Sequence, residues 1–440
     1  MNKMTVFLAA VFTSFSIATS AYAAEAYKTD YVDLSRQSAV LYRPVTTTEK
    51  AGVGIVVMHS NDDYLNFPAN AELSKRGYTV LATIPSAGSD MEPKLLNIKA
   101  AVEYLRKMPG IKKVILLGHS GGATTMTAYQ YLAEKGLGGL KGKIFTDYSD
   151  KVANLPKADG LLLLDANWGN SLMTLFSLDP NIVANNSGRY AAKPLDLADT
   201  SVGYNPNGSR YTEAFQKAFL RAQRNRLTKL IDEAGSRWQM IKSGKGNFVD
   251  DEPFFIAGAS QIRPFNKLFP QDLNLFSHTV KAWPLIHGNG TLTKEVVHTV
   301  RAPMRPDAPS DTMFAALPTT VRGFLSMIAI NVDEDFRITE TGVTGVHFDS
   351  NINNAEGNVQ GITVPSLFMG MTGSWEFSAA ETIYNNSAAA DKKLAYVEGA
   401  SHMFAPDRDA EQFNHVKYGD TTKALFDYVD LWIAKRGRFL

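Results

Sequence analysis

The chain has 440 residues, 45% hydrophobic and 20% charged, an ordinary globular composition with enough apolar material for a large core. Its formal net charge of +1 supplies no field that would favour nucleic acid or an anionic membrane surface. It contains no cysteine, which excludes disulfides, thiol catalysis and Cys-ligated metals.

The first residues read as a targeting segment. Met1-Asn2-Lys3 is a short basic start, 5–21 is apolar, and Ala21 and Ala23 are the small residues that a signal peptidase reads. Cleavage is expected after Ala23, with a periplasmic or secreted product. The apolar stretch is short and carries Thr13, Ser14, Ser16, Thr19 and Ser20, so no stable membrane anchor is expected.

Alternating segments around 31–34 and 39–43 predict an antiparallel hairpin. The unbroken apolar run 54–58 predicts a strand buried on both faces. A helix over 69–76 should stop at Gly77, followed by a second buried strand over 78–84. Residues 93–107 read as an amphipathic helix with Leu95, Leu96, Ile98, Ala101, Val102 and Leu105 available to its inner face. Strands over 113–117 and 160–164 flank a helix over 123–135. Short buried strands alternating with amphipathic helices imply an α/β fold with a mostly parallel sheet and helices on both faces.

From about 167 to 361 that rhythm stops and buried strand-like runs vanish. The clearest segment there is a helix over 211–241. Phe215, Phe219, Leu227, Leu230, Ile231 and Trp238 form its apolar stripe, and Arg221, Arg224, Arg226, Lys229 and Arg237 read as a mostly solvated opposite face. The α/β rhythm returns with strands over 362–369 and 393–397 and helices over 378–385 and 421–435. The expected organisation is a signal peptide (1–23), a core in two parts (24–166 and 361–440), and a large, mainly helical cap insertion (167–360).

One motif carries chemistry. Gly118-His119-Ser120-Gly121-Gly122 directly follows the apolar run Lys113-Val114-Ile115-Leu116-Leu117 and precedes a helix. Strand, sharp turn and helix around G-x-S-x-G describe a nucleophile elbow, with Ser120 at the carboxyl end of a strand and the amino end of a helix. A serine hydroxyl needs a neutral imidazole to take its proton, a carboxylate to orient that imidazole, and two donors for the developing oxyanion.

With this elbow, a break after the sixth strand and a closing strand, loop and helix, the chain resembles the α/β-hydrolase superfamily. The resemblance covers about half of the mature chain. It implies the α/β-hydrolase fold, with a mostly parallel sheet and a cap over the site, and an esterase-like serine hydrolase that works through an acyl-enzyme. It places the base in the loop after the last strand, where Gly399-Ala400-Ser401-His402-Met403-Phe404 offers His402. The acid usually follows the strand ending near Met369. That loop, Gly370-Met371-Thr372-Gly373-Ser374-Trp375-Glu376-Phe377, has no Asp, so Glu376 is expected to orient His402, with Asp165 as the alternative acid and Glu381 behind both. Gly121 N–H is one expected oxyanion donor. The other is Asn61 N–H, with Ser60 the neighbouring possibility, since His59-Ser60-Asn61 stands where the family often has His-Gly.

Near the hinges, Asn167, Trp168 and His347-Phe348-Asp349 read as pocket lining, with plain cap core as the alternative for the aromatics. Neither Asp62-Asp63 nor Asp250-Asp251-Glu252 has calcium-loop spacing, no histidine pair has zinc spacing, and no Walker or dinucleotide motif is present, so neither a metal nor a cofactor is expected. The expected partner is a small or medium-sized ester. The same triad also serves amides, thioesters and acyl transfer, and a non-catalytic binding protein of the same fold remains the alternative of another class.

Overall fold

The computed structural model describes residues 26–440, apart from 36, 185–188, 192–193, 260–265 and 305–315. The expected signal peptide lies outside the described residues. No helix among the described residues is long and apolar enough to cross a membrane.

The first part of the core follows the expected order. β1 (Tyr27–Asp33) and β2 (Ser38–Pro44) form the opening hairpin, followed by β3 (Val53–Val57), α1 (Pro68–Lys75), β4 (Thr79–Thr83), α2 (Met91–Lys107), β5 (Lys113–Ser120), α3 (Gly122–Lys135) and β6 (Gly160–Ala166). Pro at the start of α1 and the Asp90 side chain capping α2 fix two of the helix starts.

The insertion follows: α4 (Gly169–Ser177), β7 (Ile182–Ala184), β8 (Arg189–Tyr190), α5 (Glu213–Lys242), β9 (Pro253–Ala257), β10 (His278–Ile286), β11 (Leu292–His298), β12 (Ala316–Thr320), α6 (Val321–Met327), β13 (Asn331–Ile338), β14 (Val343–His347) and α7 (Ala355–Asn358). The core then resumes with β15 (Ser366–Met371), α8 (Ala379–Asn386), β16 (Lys392–Val397), α9 (Arg408–Asn414) and α10 (Thr421–Ile433).

The central sheet has ten strands in the order β1-β2-β4-β3-β5-β6-β15-β16-β10-β11. From β4 across to β10 every pairing is parallel, while β1, β2 and β11 run antiparallel to their neighbours. The period of two along each strand feeds two cores. Val114 and Leu116 of β5 face one cluster, with Leu95, Ile98 and Leu105 of α2, whereas Ile115 and Leu117 face the other, with Leu425, Val429 and Ile433 of α10. Each fully buried Leu or Ile contributes about 1.5–3 kcal/mol.

In the insertion, the long helix is present. Thr212 caps α5, and Phe215, Phe219, Leu227, Leu230 and Trp238 are buried with the α2 core. Arg226 departs from the expected solvated face: it is buried and its guanidinium donates to the carbonyls of Asp179 and Ala257. The insertion also holds strands that the pattern of apolar runs did not reveal. They are short or largely exposed, as in β11, where only Val297 is buried. β10 and β11, inside the expected cap 167–360, extend the central sheet beyond β16 through Leu285 opposite Tyr396 and Ile286 opposite Val397.

Candidate active site

The end of β5 turns sharply into α3. Ser120 has φ +53, a conformation rarely adopted by a residue with a Cβ. The turn closes because its neighbours lack side chains. A Cβ on Gly118 would stand 2.6 Å from Ala123 Cα, and one on Gly122 would stand 2.6 Å from the Met58 carbonyl. Ser120 is partly exposed, and among the described residues its hydroxyl makes no hydrogen bond.

Next to this elbow, β6 carries a β-bulge. His119 pairs with Leu164 and Ser120 with Ala166, so Asp165 has no partner on β5. Its φ is +46 and its side chain is fully buried. The freed carboxylate bridges two elements. One oxygen accepts from Met371 N at the end of β15 (2.9 Å), and the other accepts from His402 Nδ1 (2.7 Å). With Nδ1–H committed to Asp165, Nε2 is the imidazole's remaining basic nitrogen. Burial alone would lower the His402 pKa, but Glu376 and the Asp165 bond outweigh it and raise it to about 9. Burial pushes the Asp165 pKa up, against the pull of His402.

Glu376 sits elsewhere around the same ring. It begins a short helical turn after β15, and its carboxylate accepts from the Ser374 hydroxyl (2.5 Å) instead of from His402 Nδ1. Glu381 is further removed: it accepts from the backbone of Val280 and Lys281 and from Trp283 Nε1, tying β10 to α8.

The loop after β3 differs from expectation at one donor. Asn61 N–H and Asp62 N–H both donate to His59 Nδ1, at 3.2 and 3.0 Å. His59 is thereby held as a neutral ring, its pKa lowered to about 4 chiefly by burial. Ser60 lies against the elbow, where a Cβ on Gly121 would collide with its hydroxyl. Among the described residues neither its N–H nor its buried hydroxyl has a partner.

A chain of aromatic groups braces His402. Tyr64 OH donates to His119 Nδ1 (2.7 Å), and His119 Nε2–H donates to the His402 carbonyl (2.7 Å). The rings of His119 and His402 lie 4.4 Å apart. In the sequence Asp62-Asp63-Tyr64 reads equally as a substrate contact or a polar surface turn, and His119 as a neighbour of the serine within the elbow. Only the fold brings the two together.

A cleft of about 950 Å³ opens beside His402 and Glu376, walled by Arg301, Met304, Trp375, Met403 and Phe413 among others. Ser120 does not line it. Trp168 and Phe348 pack into the hydrophobic core, and His347 is an exposed partner of Asp333. The Asp165, Glu376 and His402 donor atoms lie within 4.8 Å of one another and form the one cluster among the described residues whose ligand set could hold an ion.

No family model matches the chain. No curated protein matches it in sequence. Among solved structures, Est1E from Butyrivibrio proteoclasticus aligns over 92% of this chain and 99% of its own, at 12% identity and a TM-score of 0.40. The HSL homologue EstE7 from a metagenome library aligns over 95% and 88%, at 11% identity and 0.42. The match to esterase B from Lactobacillus rhamnosis covers 34% of this chain at 13% identity and 0.26, and spans about half (51%) of that protein. Likeness at this level carries no chemistry. Strand order, with β2 antiparallel and the elbow at the end of the central β5, decides the architecture. The chain has the α/β-hydrolase fold.

Within that fold, Ser120, Asp165 and His402 come from the end of β5, the bulge of β6 and the loop after β16. All three positions lie at the carboxyl edge of the parallel strands, where open α/β sheets place their sites.

Proposed function

We propose that the protein is an exported serine hydrolase that cleaves carboxylic esters through an acyl-enzyme. Ser120 attacks the carbonyl carbon and its proton passes to His402 Nε2. Asp165 orients the ring and stabilises the imidazolium without taking the proton. The carbonyl electron pair moves onto oxygen, which receives hydrogen bonds from Gly121 N–H and Ser60 N–H. His402 then protonates the leaving alcohol, and water repeats the sequence to release the acid.

The observation that carries this reading is the 2.7 Å bond from His402 Nδ1 to a fully buried carboxylate beside the strained elbow serine. Asp165 replaces Glu376 as the proposed orienting acid for that reason. Ser60 replaces Asn61 as the proposed donor because the Asn61 N–H is spent on His59. Esters are favoured over amides and thioesters as the commonest chemistry of the fold.

The test is intact-mass analysis after a fluorophosphonate probe. One adduct is expected on wild type, none on Ser120→Ala, and a much slower one on His402→Ala. A folded wild type that takes no adduct would overturn the reading in favour of a binding protein. Mass analysis of the protein recovered from an expressing bacterium tests export, with an amino terminus at Ala24 expected.

A further inference from the structure

His402 faces two carboxylates. Asp165 from β6 is bonded to its Nδ1, and Glu376 from the turn after β15 brings a second carboxylate within 4.8 Å of both partners. Glu376 is buried and clamped: the Ser374 hydroxyl donates to its carboxylate (2.5 Å) and accepts from its backbone N–H (3.2 Å). A buried carboxylate beside another is costly unless cations face it. Here they are His402, Lys267 and Arg301, the last two both buried. The Arg301 fork is committed to the carbonyls of Phe269, Leu275 and Phe276, so it offers Glu376 a nearby charge and no bidentate bond. On its other side His402 faces the neutral rings of His119 and His59.

Resting on the reading of Ser120 as nucleophile and His402 as base, we propose that Glu376 is a second acid of this site: a positioning residue that stabilises the His402 imidazolium beside Asp165 and takes over Nδ1 when Asp165 is lost. The step it serves is balanced within the site. As the Ser120 Oγ–carbon bond forms, the hydroxyl proton goes to His402 Nε2, and it leaves on the alcohol when the ester C–O bond breaks. Neither carboxylate accepts a proton. Glu376 contributes through charge, so its effect is largest when His402 is protonated.

The experiment measures the rate of fluorophosphonate labelling against pH for wild type, Asp165→Asn, Glu376→Gln, Glu376→Asp, the double variant Asp165→Asn/Glu376→Gln, and His402→Ala. Losing the acid of a Ser-His-Asp triad costs about 10⁴-fold. With a second acid in place, Asp165→Asn should lose only about 10²-fold, and the double variant should fall to the His402→Ala rate. Glu376→Gln should shift the pH of half-maximal labelling downward, because a ring that has lost a nearby negative charge gives up its proton more easily. Glu376→Asp should restore part of the shift.

An unshifted midpoint in Glu376→Gln, or Asp165→Asn already at the His402→Ala rate, would overturn the proposal and leave Glu376 as the counter-charge of Lys267 and Arg301. The Asp165→Asn comparison leaves Glu376 in place, so it decides the matter even if Glu376 variants fold poorly. A wild type that never labels is a distinct failure: it removes the active serine itself, and this inference with it.

Discussion

His402 must be neutral before it can accept the Ser120 proton, so its protonation sets the working pH of the proposed site. Its pKa is raised to about 9, since Glu376 and the Asp165 hydrogen bond outweigh the burial that would lower it. Below that value the ring is an imidazolium and cannot act as base; above it the ring is free. The expected profile of kcat/KM, or of fluorophosphonate labelling, therefore rises tenfold per unit through neutral pH and levels off near pH 9. A plateau already reached at pH 7 would show that the two carboxylates do not act on the ring as the geometry implies. At this scale the sequence was legible where structure is local. The turn at Ser120 is announced by its own glycines, and the loop position of His402 by the last apolar strand before it. The carboxylate that meets His402 Nδ1 was not, because the choice between Asp165 and Glu376 depends on a one-residue bulge in β6 that no periodicity reveals. The donor after β3 was obscured similarly: the His59 ring turns back onto the Asn61 N–H, a contact set by side-chain rotation.

Most elements of the first 166 residues, and β15, α8, β16 and α10 after the insertion, were readable because strands buried on both faces leave unbroken apolar runs, whereas the short, mostly exposed α9 was not read. The insertion was less readable. α5 has a clear 3.6-residue stripe, but β10 and β11, the last two strands at one side of the sheet, are largely exposed and leave no apolar run to read. Elements also explain how the insertion is held. Arg322 of α6 donates to Asp90 (2.8 Å) and Glu92 (2.7 Å) at the start of α2, and Ser326 accepts from Met91 N (3.2 Å). The guanidinium also lies over the Phe145 ring, with 5.5 Å between its carbon and the ring centroid. About a quarter of the Arg322 side chain is exposed, so solvent screens the pairs in part. Arg322→Ala should cost about 1–2 kcal/mol, read from the urea midpoint. A loss under about 0.5 kcal/mol would mean that these bonds merely decorate a contact held by apolar packing.

At the scale of the whole molecule, the question is whether the insertion is a detachable cap. Among the described residues, its apolar side chains do not form a core of their own. Phe219, Leu230, Phe254, Phe324 and Ile330 join one cluster with Leu95 and Ile98 of α2 and Leu161 of β6. β10 adds to the parallel sheet, and β11 is its outer edge. Val300 N donates to the Thr372 carbonyl (2.9 Å), joining the insertion to the loop that carries Glu376. A molecule so joined should unfold as one cooperative unit, with loss of labelling, far-ultraviolet dichroism and near-ultraviolet dichroism tracing one transition in urea. Replacing 167–360 by a short Gly/Ser linker should give an aggregating product, since it uncovers the apolar outer surfaces of α2 and α3 and leaves β16 as a bare edge. A soluble, cooperatively folding deletion, or two separated transitions in the intact chain, would instead make the insertion an independent domain. Its contacts with α2, β16 and the Thr372 loop would then be a docking interface, free to open over Ser120.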